Sequence, residues 1–132
     1  MESEAGSRVL IADADPVVRD QIFRRLLDAN IYSDAVADGK QALEKLRAGH
    51  YALVLLDMSL PQVGVAPVLE FLSTVPKPRR PVILILDGAH AASSLDVDLV
   101  QIVLRKPCDL KQLSEIVGSC ARAAGAAQAA AC

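Results

Sequence analysis

Apolar residues in this chain follow two alternating rhythms. Short unbroken runs, Val9 to Ala12, Leu53 to Leu56 and Val82 to Leu86, fit strands buried on both faces. Between them apolar residues recur every three or four positions, as in Val18, Ile22 and Leu26, then Ala42, Leu43 and Leu46, then Val68, Leu69 and Leu72. Leu110, Leu113, Ile116 and Val117 repeat the pattern near the C-terminus. That spacing puts one apolar stripe on each of four helices.

Turn and cap residues set the expected boundaries. A strand over Arg8 to Ala12 leads to Asp15 as N-cap and Pro16 at the first helical position. Tyr32 to Ala37 forms a second strand, and Asp38 caps a helix that stops at Gly49, expected as a left-handed cap. Tyr51 to Leu56 is the most apolar strand and runs into Asp57. After a turn over Ser59 to Val65, Pro67 opens a third helix, which ends at the connector Pro76-Lys77-Pro78. The strand Val82 to Leu86 ends on Asp87, and Gly88 to Asp98 carries only a weak helical pattern. A fifth strand is expected over Leu99 to Leu104, before Arg105-Lys106-Pro107, and Asp109 caps the last helix.

Five strands alternating with helices through short loops predict a doubly wound α/β domain, a five-stranded parallel sheet in a three-layer αβα arrangement. The expected division is an N-terminal tail over 1–7, the domain over 8–120, and a helix end or linker over the alanine-rich 121–132. In such sheets ligands bind beyond the carboxyl ends of the strands. Asp13, Asp15, Asp57, Asp87 and Lys106 all fall there.

Composition narrows the class. The chain has 132 residues, 52% hydrophobic but only 3% aromatic, and a formal net charge of -2. Such a chain has no electrostatic reason to bind nucleic acid or an anionic membrane, and its apolar runs are far shorter than the roughly 18 residues of a membrane span. The sequence MESEAGSR has no apolar signal region. Cys108, Cys120 and Cys132 show neither metal-ligand spacing nor a disulfide framework, so a reducing cytoplasmic setting is expected. His50 and His90 read as loop residues.

Carboxylates meeting a lysine at one sheet edge suit a hard cation together with a phosphoryl group. Mg²⁺ takes oxygen ligands, often one or two carboxylates plus phosphate oxygens. An aspartate can itself accept a phosphoryl group, and a lysine neutralises its charge. A flavodoxin-type cofactor domain shares the fold class, but the acids of ADADP would repel the cofactor phosphate. No Ser-His-acid or Cys-His arrangement supports a hydrolase.

The segments VLIADADP, YALVLLDMSLP and LRKPCDL, in this order and spacing, resemble the response-regulator receiver family of two-component signalling over nearly the whole chain. The resemblance implies a flavodoxin-like receiver fold with Asp57 as phosphoacceptor and Lys106 as the residue contacting phosphoryl oxygens. It implies Mg²⁺ held through Asp13, Asp57 and Ser59, and at most self-phosphorylation and autodephosphorylation at Asp57. The implied partners are a histidine kinase or phosphotransfer protein, and a downstream protein bound through the last strand and flanking helices. Homodimers through that face are a further expectation, as is a cis Lys106-Pro107 bond.

Several positions depart from the family pattern. Ala14 stands where a second acid usually ligates Mg²⁺; a carboxylate about 4 Å from a dication is worth ~2 kcal/mol under water-like screening, so metal affinity is expected to fall by one to two decades. Leu86 replaces a hydroxyl residue and Val103 an aromatic, and both are expected to pack as core. Gly64 and Val65 replace an Asp-Gly pair, so a positive φ at Val65 would reshape the loop. Asp87 is a further carboxylate near the site. A switch without the hydroxyl and the aromatic has few contacts that distinguish two states, so phosphorylation is expected to shift the last strand only weakly. The alternative function is a phosphorylation-independent pseudo-receiver, a protein-protein interaction module on the same fold.

Overall fold

A computed structural model describes residues 8–88, 98–106 and 109–131 of the chain. Its strands are β1 (Val9–Ala12), β2 (Ser33–Val36), β3 (Leu53–Asp57), β4 (Val82–Asp87) and β5 (Ile102–Arg105). The helices are α1 (Pro16–Asp28), α2 (Gly39–Ala48), α3 (Ala66–Ser73) and α4 (Leu110–Ala131), with a 3₁₀ turn at Lys77–Arg79. All strand pairs are parallel, in the order β2-β1-β3-β4-β5. The chain winds outward from β1 to β2 and then crosses back to β3, so the topological switch lies between β1 and β3.

Alternation along each strand divides the core between two faces. Val9, Ile11, Leu53, Leu55, Leu84 and Leu86 pack with Ile22 and Leu26 of α1 and with Leu113 and Val117 of α4. Leu10, Ala12, Val54, Leu56, Ile83 and Ile85 pack with α2 and α3 on the other face. This is the three-layer doubly wound arrangement the alternation of strands and helices predicts. The side chains of Asp15, Asp38 and Asp109 cap their helices, accepting from the amides of Val17, Gln41 and Lys111 at 2.9, 2.8 and 2.8 Å.

Several local expectations change. Leu99 is in a turn and β5 begins only at Ile102. Leu99 and Val100 are buried without being in the ladder, so their apolarity reflects core packing rather than strand pairing. The Gln101 side chain accepts from the Ile83 amide at 2.7 Å. Gly49 ends α2 in extended backbone, φ -152°, and not in the left-handed region; its amide still donates to Lys45 O at 3.1 Å. Val65 has φ -85°, and positive φ values fall instead on Gln62, Val63 and Gly64. The expected weak helix lies largely outside the described residues, as do His90, Pro107, Cys108 and Cys132. Cys120 is half-buried and not in a disulfide.

Candidate functional site

Three strand ends and one loop build the site. Asp13 follows β1 and Asp57 closes β3, next to each other across the switch point. Lys106 follows β5 two strands away. Its Nζ reaches back over β4 to lie 3.2 Å from Asp57 Oδ2 and 3.4 Å from Asp13 Oδ2. Leu86 is the β4 residue beneath this reach, in register with Asp57 and fully buried.

Each carboxylate is fixed through its other oxygen. Asp13 Oδ1 accepts from the Asp15 amide at 2.9 Å, and Asp57 Oδ1 from the Ser59 amide at 3.0 Å. The amide of Met58 donates to Leu86 O at 2.9 Å, tying the loop after β3 to β4. Both acids are almost wholly buried, while the Lys106 side chain is 29% exposed. The solvent side of the site is therefore its cation.

Burial holds the Asp13 carboxyl above the ordinary carboxylate value; the Asp15 amide opposes this, the Asp57 charge adds to it and Lys106 lowers it. Burial alone would lower the Lys106 ammonium, but the carboxylates of Asp13 and Asp57 outweigh it and hold it above the usual lysine value. The two directions are consistent: two buried like charges repel, and the cation between them is the group they both favour.

The other expected site residues fall around this center. Asp15 is exposed and acts as the cap of α1, while Ala14 is exposed and brings no carboxylate. Ser59 is exposed and meets Asp57 through its backbone. Asp87 is buried, on the alternate parity of β4 shared with Ile83 and Ile85, and is not among the charges that shift Asp13 or Lys106. Val103 is not core: on the edge strand β5, with one neighbouring strand, it is 41% exposed.

Sequence reasoning passes over two contributors. Arg19, one turn into α1, donates from Nη1 to Asp13 O at 2.7 Å and pins the loop that carries the first acid. Nothing but its distance from the cap separates it from a solvated helix arginine. Gly39 opens α2 with its amide on Pro61 O at 3.0 Å, and a Cβ there would strike Gly64 O and come within 2.7 Å of Gln62 O. The loop after Asp57 is thus packed against glycine backbone, a close approach no other residue allows.

Among the described residues no group of three or more His, Cys, Asp or Glu side chains is placed to hold a metal. Two buried carboxylates with hard oxygen donors remain, the smaller donor set that Mg²⁺ uses when it also keeps water and phosphate oxygens. Asp13 and Asp57 fit that ion on these terms.

Solved structures share this architecture. TrrA of Thermotoga maritima, a response regulator in complex with Mg²⁺ and BeF, is 24% identical, with a TM-score of 0.72 over 86% of this chain and 97% of that one. A CheY-like receiver domain from Methylobacillus flagellatus is 22% identical at TM-score 0.69, covering 86% and 97%. An adenylate cyclase structure from Rhodopirellula baltica is 19% identical at TM-score 0.75, covering 89% of each chain. At these identities the likeness establishes the fold. No curated protein matches the chain. The family model of the response regulator receiver domain matches residues 9–118, from the first residue of β1 into α4 and so across every strand that builds the site; the chain belongs to the response regulator receiver domain family.

Proposed function

We propose that this receiver domain accepts a phosphoryl group on Asp57 from a phosphohistidine of a histidine kinase or phosphotransfer protein. The observation that carries this reading is the position of Lys106 Nζ between Asp57 Oδ2 and Asp13 Oδ2, at 3.2 and 3.4 Å. An Asp57 oxygen forms the bond to phosphorus while the P–N bond of the donor breaks. The electron pair leaves with the imidazole nitrogen, which takes up a proton from solvent. The product is an aspartyl phosphate.

Each residue has a defined part in this scheme. The Ser59 amide holds Asp57 Oδ1, leaving Oδ2 toward Lys106. Lys106 then exchanges a carboxylate partner for phosphoryl oxygens, a charge-assisted contact at either stage. Asp13 and Asp57, with Ser59 at the loop, would hold Mg²⁺, which when bound neutralises charge on phosphoryl oxygens. Receiver domains typically bind this ion; with alanine at position 14 its affinity here is expected to be low. Asp15 remains engaged at the helix cap.

The output in this scheme is a small change at β5 and its flanking helices, the expected surface for a downstream protein or a second copy. Leu86 offers no hydroxyl to the phosphoryl group, and Val103 is too small to swing between buried and exposed rotamers as an aromatic does. The unit that performs this is residues 8–120.

Incubation with acetyl phosphate or phosphoramidate and Mg²⁺, followed by intact-mass spectrometry, tests the reading. One phosphoryl adduct is expected, absent in Asp57→Asn and suppressed by EDTA. An unmodified wild-type chain under conditions that label another receiver domain would overturn it in favour of the phosphorylation-independent module.

A further inference from the structure

We propose that the cleft at the end of the sheet opposite Asp57 is a binding site for a small planar aromatic anion. The cavity, about 360 Å³, lies between the end of α2, the start of β3, the end of α3 and the 3₁₀ turn. That volume falls at the lower end of small-molecule sites. Asp57 lies six positions beyond Tyr51 along β3 and its approach, about 20 Å of extended chain, so this site is independent of the acidic one.

Two features mark the cleft out from ordinary surface. The chain has only two Tyr, two Phe and no Trp, yet Tyr51 and Phe71 both line this one cavity. Arg47, His50 and Arg79 line it too, and among the described residues no Asp or Glu does. In a chain of net charge -2 this is a local reversal of sign.

A helix end accounts for part of this charge, since Arg47 stands in the last turn of α2. A helix C-terminus is the negative end of its dipole and attracts basic residues. At α3 that place is filled by Arg80, whose Nη2 donates to Ser73 O and Val75 O at 3.1 and 2.9 Å. Arg47 also lies over the Phe71 ring, 5.8 Å from its centroid, in a cation-π arrangement. The Tyr51 ring is held by its hydroxyl, which donates to Asp34 at 2.7 Å. The result is a preformed aromatic wall with guanidinium charge beside it, which suits a flat ring carrying an acidic group.

Amide NMR titration of the full chain tests the site with naphthalene-2-sulfonate and adenosine monophosphate as aromatic anions, and with adenosine and inorganic phosphate as the separate halves. Saturable shifts are expected at Gly49, Phe71 and Thr74 with both aromatic anions and at least about tenfold weaker binding of either half. Arg47→Ala should weaken binding about tenfold, Arg47→Lys less, and Asp57→Asn not at all. Arg47 is exposed, so these variants should keep the wild-type spectrum; if Arg47→Ala does not, Arg79→Gln serves as the second variant with the same expectation. Silence with both aromatic anions at millimolar concentration, equal affinity for adenosine and its monophosphate, or an affinity indifferent to both arginine substitutions would overturn the proposal.

Discussion

Asp57 and Leu86 are register partners across β3 and β4, so the neighbour of the central acid on the β4 side is a fully buried leucine. Leu86 packs with Ile11, Leu55, Leu84 and Leu113 under α1 and α4. The position therefore serves the core and offers the site no donor.

Replacing that leucine with a hydroxyl residue should exchange stability for phosphoryl binding. Leu86→Thr removes buried methyl groups and places a hydroxyl one strand from Asp57, at a spacing of about 4.8 Å between strands. The expected loss is about 2 kcal/mol of unfolding free energy. Beryllofluoride affinity should rise severalfold, because the hydroxyl adds a hydrogen bond available only to the occupied site. Urea unfolding and a beryllofluoride titration measure the two effects. An unchanged affinity in a folded variant would show that the hydroxyl at this position cannot reach the site.

The burial of the Asp13 carboxylate is at the expense of the fold. Burial and Asp57 raise its pKa, so the folded chain holds this proton more tightly than the unfolded chain does. Stability therefore declines as pH rises from the unfolded carboxylate value of 3.8 through the higher folded value, and the deficit persists at neutral pH. Asp13→Asn should be more stable than the parent at pH 7, lose that decline above pH 4, and bind Mg²⁺ more weakly. Lys106 keeps Asp57 as a partner in this variant. Chemical denaturation at several pH values, alongside a Mg²⁺ titration, checks both signs.

The central strands were legible because unbroken apolar runs such as Val82 to Leu86 have few other uses in a short alternating chain. The meeting of Asp13, Asp57 and Lys106 followed from strand ends once the sheet was parallel. Apolarity failed where burial and strand pairing part company, as at Leu99 and Val100, which are buried yet outside the ladder. Val103 shows the converse, an apolar residue left exposed because β5 is an edge. The backbone angles after Asp57 had no signal either, since Val63 at φ 59° defies its own preference. Arg19 belongs with these, because its contact is with a main-chain oxygen and no residue type marks such an acceptor.

Gly39 should tolerate no side chain. Glycine to alanine near a helix start usually stabilises by up to about 1 kcal/mol through the unfolded state. Here the added Cβ would collide with the carbonyls of Gly64 and Gln62, which are backbone and cannot swing aside. Gly39→Ala is expected to cost about 2 kcal/mol instead, and to broaden or shift the amides of Gln62 to Gly64. The opposite change, Val63→Gly, relieves a β-branched residue from the left-handed region and should be neutral to about 1 kcal/mol stabilising. Urea midpoints of the two variants on opposite sides of the parent would establish that this loop is held under strain by α2.

Tyr51 gives the chain an alkaline limit. Burial, and then the hydrogen bond to Asp34, push its phenol well above the ordinary value of 10.0. Asp34 is itself 3.6 Å from Arg8 Nη1, so the carboxylate is shared between a hydroxyl and a guanidinium. A group that binds its proton more tightly when folded contributes stability that is complete below its unfolded pKa and is lost as pH climbs through the folded one. Unfolding free energy should therefore fall from pH 10 upward. Lys106, also raised, adds to the same decline because its carboxylate partners favour the charged ammonium. Tyr51→Phe should cost about 1.5 kcal/mol at neutral pH, the net worth of a hydrogen bond to a charged acceptor. It should also make the alkaline decline shallower without abolishing it, since Lys106 remains. Urea unfolding of parent and variant between pH 8 and pH 11 reads both effects; parallel curves across that range would show that the phenol titrates in the folded chain as it does in the unfolded one.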